Sequence, residues 1–129
     1  MAQETKSPPK DLKSRTRDFA LRIIRVLSAL PSRPVAQVIG RQLLRSGTSV
    51  GANYREAIRS RSATEYGAKL QLSLMELEES LYWLELLEAS QVFSSSKLAA
   101  IKTESSELCA IMVTLINKSR RVKKISLPS

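Results

Sequence analysis

The sequence predicts an all-α protein folded as an antiparallel up-down-up-down four-helix bundle, and three observations predict it. Apolar residues recur at spacings of three and four through four successive segments, the period of a helix face and not of a strand. Only four Gly and five Pro occur, most of them near segment ends, while Leu, Ala, Ser, Glu and Arg dominate. That composition favours helices over a sheet with many turns. The connections are short, which sets neighbouring helices antiparallel.

Residues 1–11 are polar, carry the Pro8-Pro9 pair and read as a disordered N-terminal segment before a bundle over 12–119. The first helix is expected from about Leu12 to Leu30. Phe19, Ala20, Ile23, Ile24, Val26, Leu27 and Leu30 form its apolar stripe, and Pro31-Ser32-Arg33-Pro34 ends it. Pro34 suits the first turn of a second helix running to about Ser60, with a stripe of Val35, Ile39, Leu43, Val50, Tyr54 and Ala57. Gly47 and Gly51 inside it mark either a close approach of a neighbouring helix or a break near Gly47. Each costs about 1 kcal/mol of helix stability against Ala.

Ser62-Ala63-Thr64-Glu65 is a capping box, opening a third helix to about Ser90. Its stripe is Tyr66, Leu70, Leu74, Leu77, Leu81 and Leu84, close to the 3.5-residue period of coiled-coil packing. Ser94-Ser95-Ser96 offers N-caps for a fourth helix, about Ser95 to Ser119, with Leu98, Ile101, Ser105, Leu108, Met112 and Leu115 inward. Residues 120–129 are expected to form a basic, flexible tail.

The third helix carries more apolar residues than one face can use. Leu72, Met75, Tyr82, Trp83 and Leu86 fall roughly opposite its core stripe, interspersed with Glu76 and Glu79. A bundle buries one side of each helix, so a second apolar side reads as an oligomer interface. The alternative is an irregular bundle in which this helix is central.

The net charge of +9 is segregated. Residues 1–61 hold 13 Lys/Arg against 4 Asp/Glu, residues 62–117 hold 3 against 8, and residues 118–129 hold 5 against none. Segregation of this kind suggests an electrostatic footprint for a polyanion, or a pairing of basic and acidic faces between subunits. The candidate nucleic-acid contacts are Arg15, Arg22, Arg25, Arg41, Arg55, Arg59 and Arg61 on the first half, with Arg120, Arg121, Lys123 and Lys124 at the end. Guanidinium suits phosphate, and no aromatic platform lies among these residues, so binding to RNA or DNA would be directed to the backbone and strongly salt-dependent.

Catalysis finds little material here. The chain has no His, which removes the commonest general base and metal ligand. No phosphate-cradling Gly loop and no metal-ligand spacing occur. Cys109, the one cysteine, falls on the core-facing side of the fourth helix and excludes an intrachain disulfide. No enzyme activity, cofactor, metal or small-molecule substrate is expected. With no apolar run near the ~20 residues that span a bilayer and no signal-peptide core in residues 1–10, the expected compartment is the cytoplasm and no membrane partner is expected.

On the second helix Arg45, Ser49, Asn53 and Glu56 follow at spacings of four, four and three, beside the apolar stripe. With Ser73 and Glu76 of the third helix they read as a structural polar stripe, a buried hydrogen-bond ladder fixing helix register. A ligand or nucleic-acid contact is the other reading.

This stretch also carries a resemblance. Residues 42–57, Gln-Leu-Leu-Arg-Ser-Gly-Thr-Ser-Val-Gly-Ala-Asn-Tyr-Arg-Glu-Ala, resemble the motif of the four-helix-bundle proteins encoded in 23S rRNA intervening sequences, through Gln42, Leu43, Arg45, Ser49, Val50, Asn53 and Glu56. Ser62, Glu65 and Tyr66, then Ser73, Glu76 and Glu78, also look like that family, and the resemblance covers about residues 15–118. Gly51 stands where the family often has Pro, and Ala57 where it usually has Gly. The resemblance implies an up-down bundle assembled as a ring, commonly a homopentamer, without enzymatic activity. Related bundles assist reverse transcriptases of diversity-generating retroelements by binding nucleic acid. The expected function is therefore a homo-oligomeric basic bundle that binds nucleic acid, or alternatively a scaffold or accessory subunit docking an acidic protein.

Overall fold

The computed structural model describes residues 11–126, with side chains through residue 121. Four helices follow in order: α1 (Leu12–Leu27), α2 (Pro34–Ala57), α3 (Ala63–Ala89) and α4 (Ser95–Ser126). Each has a start signal that physical chemistry explains. Asp11 accepts from the Ser14 N–H at 2.8 Å to cap α1, and Pro34 opens α2, where its missing N–H costs nothing. Ser62 Oγ accepts from the Glu65 N–H, while Glu65 reaches back to the Arg61 N–H, each at 3.1 Å. Ser94 Oγ accepts from the Lys97 N–H ahead of α4.

Cross-helix contacts fix the topology. Thr16, Ile23 and Leu30 lie against Gly51, Gly47 and Gly40, so α1 and α2 run in opposite directions. Glu56–Lys69, Val50–Ser73 and Ser46–Ser80 do the same for α2 and α3. Lys102 holds Glu88 and Ser119 holds the Ala63 carbonyl across α3 and α4. Arg15 reaches Glu104 and Glu107, closing α1 onto α4. The result is the expected up-down-up-down bundle. α3 packs extensively on both α2 and α4, whereas α1 leans mainly on α2.

The core follows the sequence stripes closely. Phe19, Ile23, Leu43, Val50, Ala57, Leu70, Leu74, Leu77, Leu84, Leu98, Ile101, Leu108 and Met112 are buried together. Gly47 does not break α2; the helix is continuous, and Gly47 and Gly51 serve close approach to α1. Helix ends differ from expectation in three places. α1 stops at Leu27 and α2 at Ala57, each followed by one tighter turn through residues 29–30 and 59–60. α4 continues to Ser126, past the expected end at Ser119 and into the stretch read as a flexible tail. Residues 118–126 contain no Gly or Pro, and their cations complement the helix C-terminal dipole. Of residues 1–11, read as disordered from the sequence, residues 1–10 lie outside the described residues, whereas Asp11 is held as the cap of α1.

α3 ends without glycine. Gln91 takes the left-handed conformation at φ 63°, the Val92 N–H bonds to the Leu87 carbonyl and the Gln91 N–H to the Glu88 carbonyl. This is the Schellman arrangement, with Phe93 tucked into the core behind it.

Candidate functional site

The polar stripe on α2 sits at the α2–α3 seam, but it is not the expected buried ladder. Ser49 Oγ donates to the Arg45 carbonyl and Asn53 Nδ2 to the Ser49 carbonyl, so both bond back onto their own helix. Arg45 crosses to Glu76 and Glu79, and Glu56 takes Lys69 at 2.6 Å, all toward the solvent edge. Ser73 is buried and donates to the Val50 carbonyl at 2.6 Å. The ladder fails for a geometric reason: a half-exposed Ser or Asn in a helix finds the carbonyl four residues back before it finds a partner helix. Register is set instead by ion pairs on the rim and by two small buried contacts, Ser73 to Val50 and Ser46 to Ser80 at 2.8 Å.

Ser46 and Ser80, together with Thr16 and Ser119, to which the sequence pattern assigns no cross-helix contact, are all buried. One signal was present. Ser73 and Ser80 lie seven residues apart beside Leu70, Leu77 and Leu84, the mark of a helix edge approached closely by a neighbour.

The outer side of α3 is apolar and open. Leu72, Met75 and Tyr82 are 42%, 54% and 52% exposed. Leu86 is half-buried, and Trp83 turns inward to pack against the core, donating its ring N–H to Glu79 at 2.9 Å. That bond and Arg45 hold the Glu79 carboxyl below its usual range. Trp83 is therefore a half-buried edge residue and not the outward anchor the sequence suggested; Tyr82, its ring 5.1 Å away, is the outward one. Arg45, Glu79 and Trp83 form one linked cluster along the edge of this face.

The candidate basic residues separate into groups. Arg15 is engaged by Glu104 at two points and by Glu107, bonds that raise its pKa, and this pairing takes it out of the phosphate set. Arg22 and Arg25 line the α1–α4 groove with Lys97. Arg41 is exposed on α2. Arg55, Arg59 and Arg61 sit at the end of the bundle where α2 turns into α3, and Arg120 and Arg121 reach the same end because Ser119 is bonded to Ala63. All five are exposed, as is Lys118 beside them. A groove lined by Thr64, Gly67, Gln71 and Arg120 opens there. Among the described residues the acids nearby are already in use: Glu56 holds Lys69, Glu65 supports the α3 cap and Asp11 caps α1. The side chains of Lys123 and Lys124 lie outside the described residues.

Cys109 is half-buried against the core, and burial, with the nearby Glu78 charge, pushes its thiol up. A raised thiol is a poor nucleophile at neutral pH. Among the described residues no group of three or more Cys, Asp or Glu is placed to hold a metal ion, and no helix is long and apolar enough to cross a membrane.

Residues 10–114 match the family profile described as 23S rRNA-intervening sequence protein. Among solved structures, a protein of unknown function from the S23 ribosomal protein family of Bacteroides thetaiotaomicron VPI-5482 is similar at 34% identity with a TM-score of 0.77. The alignment covers 82% of this chain and 98% of that one. No curated protein matches the chain.

Proposed function

The chain belongs to the 23S rRNA-intervening sequence protein family, and from that membership and its charge pattern we propose that it is a non-enzymatic, homo-oligomeric bundle that binds nucleic acid through phosphate charge. The observation that carries this reading is the basic pole. Arg55, Arg59, Arg61, Lys118, Arg120 and Arg121 are exposed at one end, while among the described residues the nearby carboxylates of Glu56, Glu65 and Asp11 each have another partner. Uncompensated guanidinium groups gathered at one end bind a polyanion by releasing its counterions. Assembly through the open α3 face would bring several such poles together and raise avidity without new contacts per subunit. A ring, commonly pentameric, is the assembly proposed, and the cytoplasm the compartment, in keeping with a lone, unreactive Cys109.

Light scattering on the purified protein, with and without a short structured RNA, tests the reading. The expected result is a multimer that gains mass with RNA at low salt and releases it as salt rises. A multimer indifferent to RNA at low salt supports the second reading, a scaffold whose basic pole docks an acidic protein.

A further inference from the structure

The open face of α3 has three parallel rows at seven-residue spacing: Glu78 and Glu85; Met75 and Tyr82; Leu72, Glu79 and Leu86. Its apolar centre is flanked by carboxylates, and α3 carries no Lys or Arg after Lys69. Glu79 is matched by Arg45, but exposed Glu78 and Glu85 make no salt bridge among the described residues. Two copies of this face set against each other would bring Glu78 and Glu85 of both together, and like charges brought together in an interface oppose association.

A second open apolar patch lies across the bundle, on the outer side of the glycine seam between α1 and α2. Ile24 is 44% exposed and Leu44 40%. Since Ile23 packs on Gly47, Ile24 and Leu44 fall on the same side of that seam. Lys13, Arg17 and Ile24 continue one helical row on α1, and Arg41, Leu44, Thr48 and Arg55 one on α2. This patch is apolar at its centre and rimmed by cations. The one acid of α2, Glu56, points away to Lys69, while Asp18 of α1 pairs with Arg17 at 3.8 Å, so the rim cations that make no salt bridge among the described residues are Lys13, Arg41 and Arg55.

We propose that the α3 face of one copy seats on the α1–α2 face of a second copy, so that the protein assembles head to tail. The inference rests on the homo-oligomer reading above and names its contact. Two different patches meeting give a heterologous interface, which closes into a ring or propagates, whereas self-pairing of one patch stops at a dimer. Arg41 and Arg55 then belong to the contact between copies, and Arg59, Arg61, Arg120 and Arg121 at the pole stay open for phosphate.

Two variants separate the faces. Met75→Glu/Tyr82→Glu removes the α3 face and Arg41→Glu/Leu44→Glu the α1–α2 face; all four side chains are exposed, and circular dichroism checks that both fold. By light scattering each variant alone is expected to be monomeric, and an equimolar mixture to form a 1:1 heterodimer of twice the monomer mass. If Arg41→Glu/Leu44→Glu alone forms a dimer, α3 pairs with itself and the head-to-tail contact is overturned while the α3 interface stands. A mixture that stays monomeric also overturns the pairing. Wild-type multimeric mass for Met75→Glu/Tyr82→Glu alone overturns the α3 contact while the homo-oligomer reading stands, and a monomeric wild type removes the homo-oligomer reading underneath.

Discussion

Gly47 lies so close to Ile23 that a Cβ placed on it would stand 2.9 Å from Ile23 Cγ1. This is the tightest part of the α1–α2 seam that a rigid, fully buried side chain defines, and it explains why a helix former is absent from the middle of a long helix. The same stretch holds Gly40, where the neighbouring atom is the end of the Leu30 side chain, which is only half-buried. Gly47→Ala gains ~1 kcal/mol of helix propensity but overpacks the seam at a cost of ~1–3 kcal/mol. A net loss of roughly 1 kcal/mol is expected by urea denaturation. Gly40→Ala, where Leu30 can swing aside, is expected to be neutral or to stabilise by up to about 1 kcal/mol.

The Ser46–Ser80 pair makes a second, sharper prediction. Both hydroxyls are fully buried, and Ser46 is the one partner of Ser80 among the described residues. Ser46→Ala should cost ~1–2 kcal/mol because it strands the Ser80 hydroxyl, whereas Ser46→Ala/Ser80→Ala should cost less than the sum of the single changes. A double-mutant cycle by chemical denaturation is expected to give a coupling of about 1 kcal/mol.

At the end of α3, Gln91 occupies a left-handed position that glycine takes more easily. Gln91→Gly should stabilise the protein by ~0.5–1 kcal/mol, the relief of the backbone outweighing the extra freedom given to the unfolded chain. Thermal melting at constant pH reads the shift; a lower melting temperature would contradict the account of this cap.

Acid should weaken the fold through Glu79 and Glu88. Bonds from Trp83 and Arg45 hold Glu79 below its usual range, and bonds from Lys102 and Ser95 do the same for Glu88. A carboxyl depressed in the folded state binds its proton later than in the unfolded chain. Its stabilisation is complete above the ordinary value of 4.5 and is lost as pH falls through the depressed one. Glu79→Gln/Glu88→Gln should therefore be less stable than the wild type at pH 7, and the gap should close as pH falls through the depressed values. Both groups meet solvent, so the effect is small and shrinks in 1 M salt.

The bundle was legible because each helix states its own inward face. Leu70, Leu74, Leu77 and Leu84 of α3, and Leu98, Ile101, Leu108 and Met112 of α4, are buried as their spacing implies. Spacing is less exact toward helix ends. Val35, in the first turn of α2, is exposed because the inward row there runs through Ala36, Leu43 and Val50, and Val35 lies about 100° round the helix from Ala36. Toward the end of α4, Ile116 is buried and Leu115 only half-buried, the drift expected when a straight helix departs from a strict seven-residue repeat. The polar contacts were less legible. Nothing in the sequence tells whether Arg15 meets Glu104 or solvent, because the two are 89 residues apart and joined only by the fold. The gathering of Arg59 and Arg61 with Arg120 and Arg121 likewise depends on α4 ending beside the start of α3.

The central claim, that the pole of the bundle binds phosphate backbone, is tested most directly by fluorescence anisotropy with a labelled structured RNA across a salt series. The comparison is wild type against Arg59→Glu/Arg61→Glu/Arg120→Glu/Arg121→Glu. The account predicts wild-type affinity falling linearly in log–log form as salt rises, a loss of at least about tenfold in the variant with a shallower slope, and unchanged oligomer mass. Equal affinity and equal slope in the two proteins, or no binding by the wild type at low salt, would contradict it.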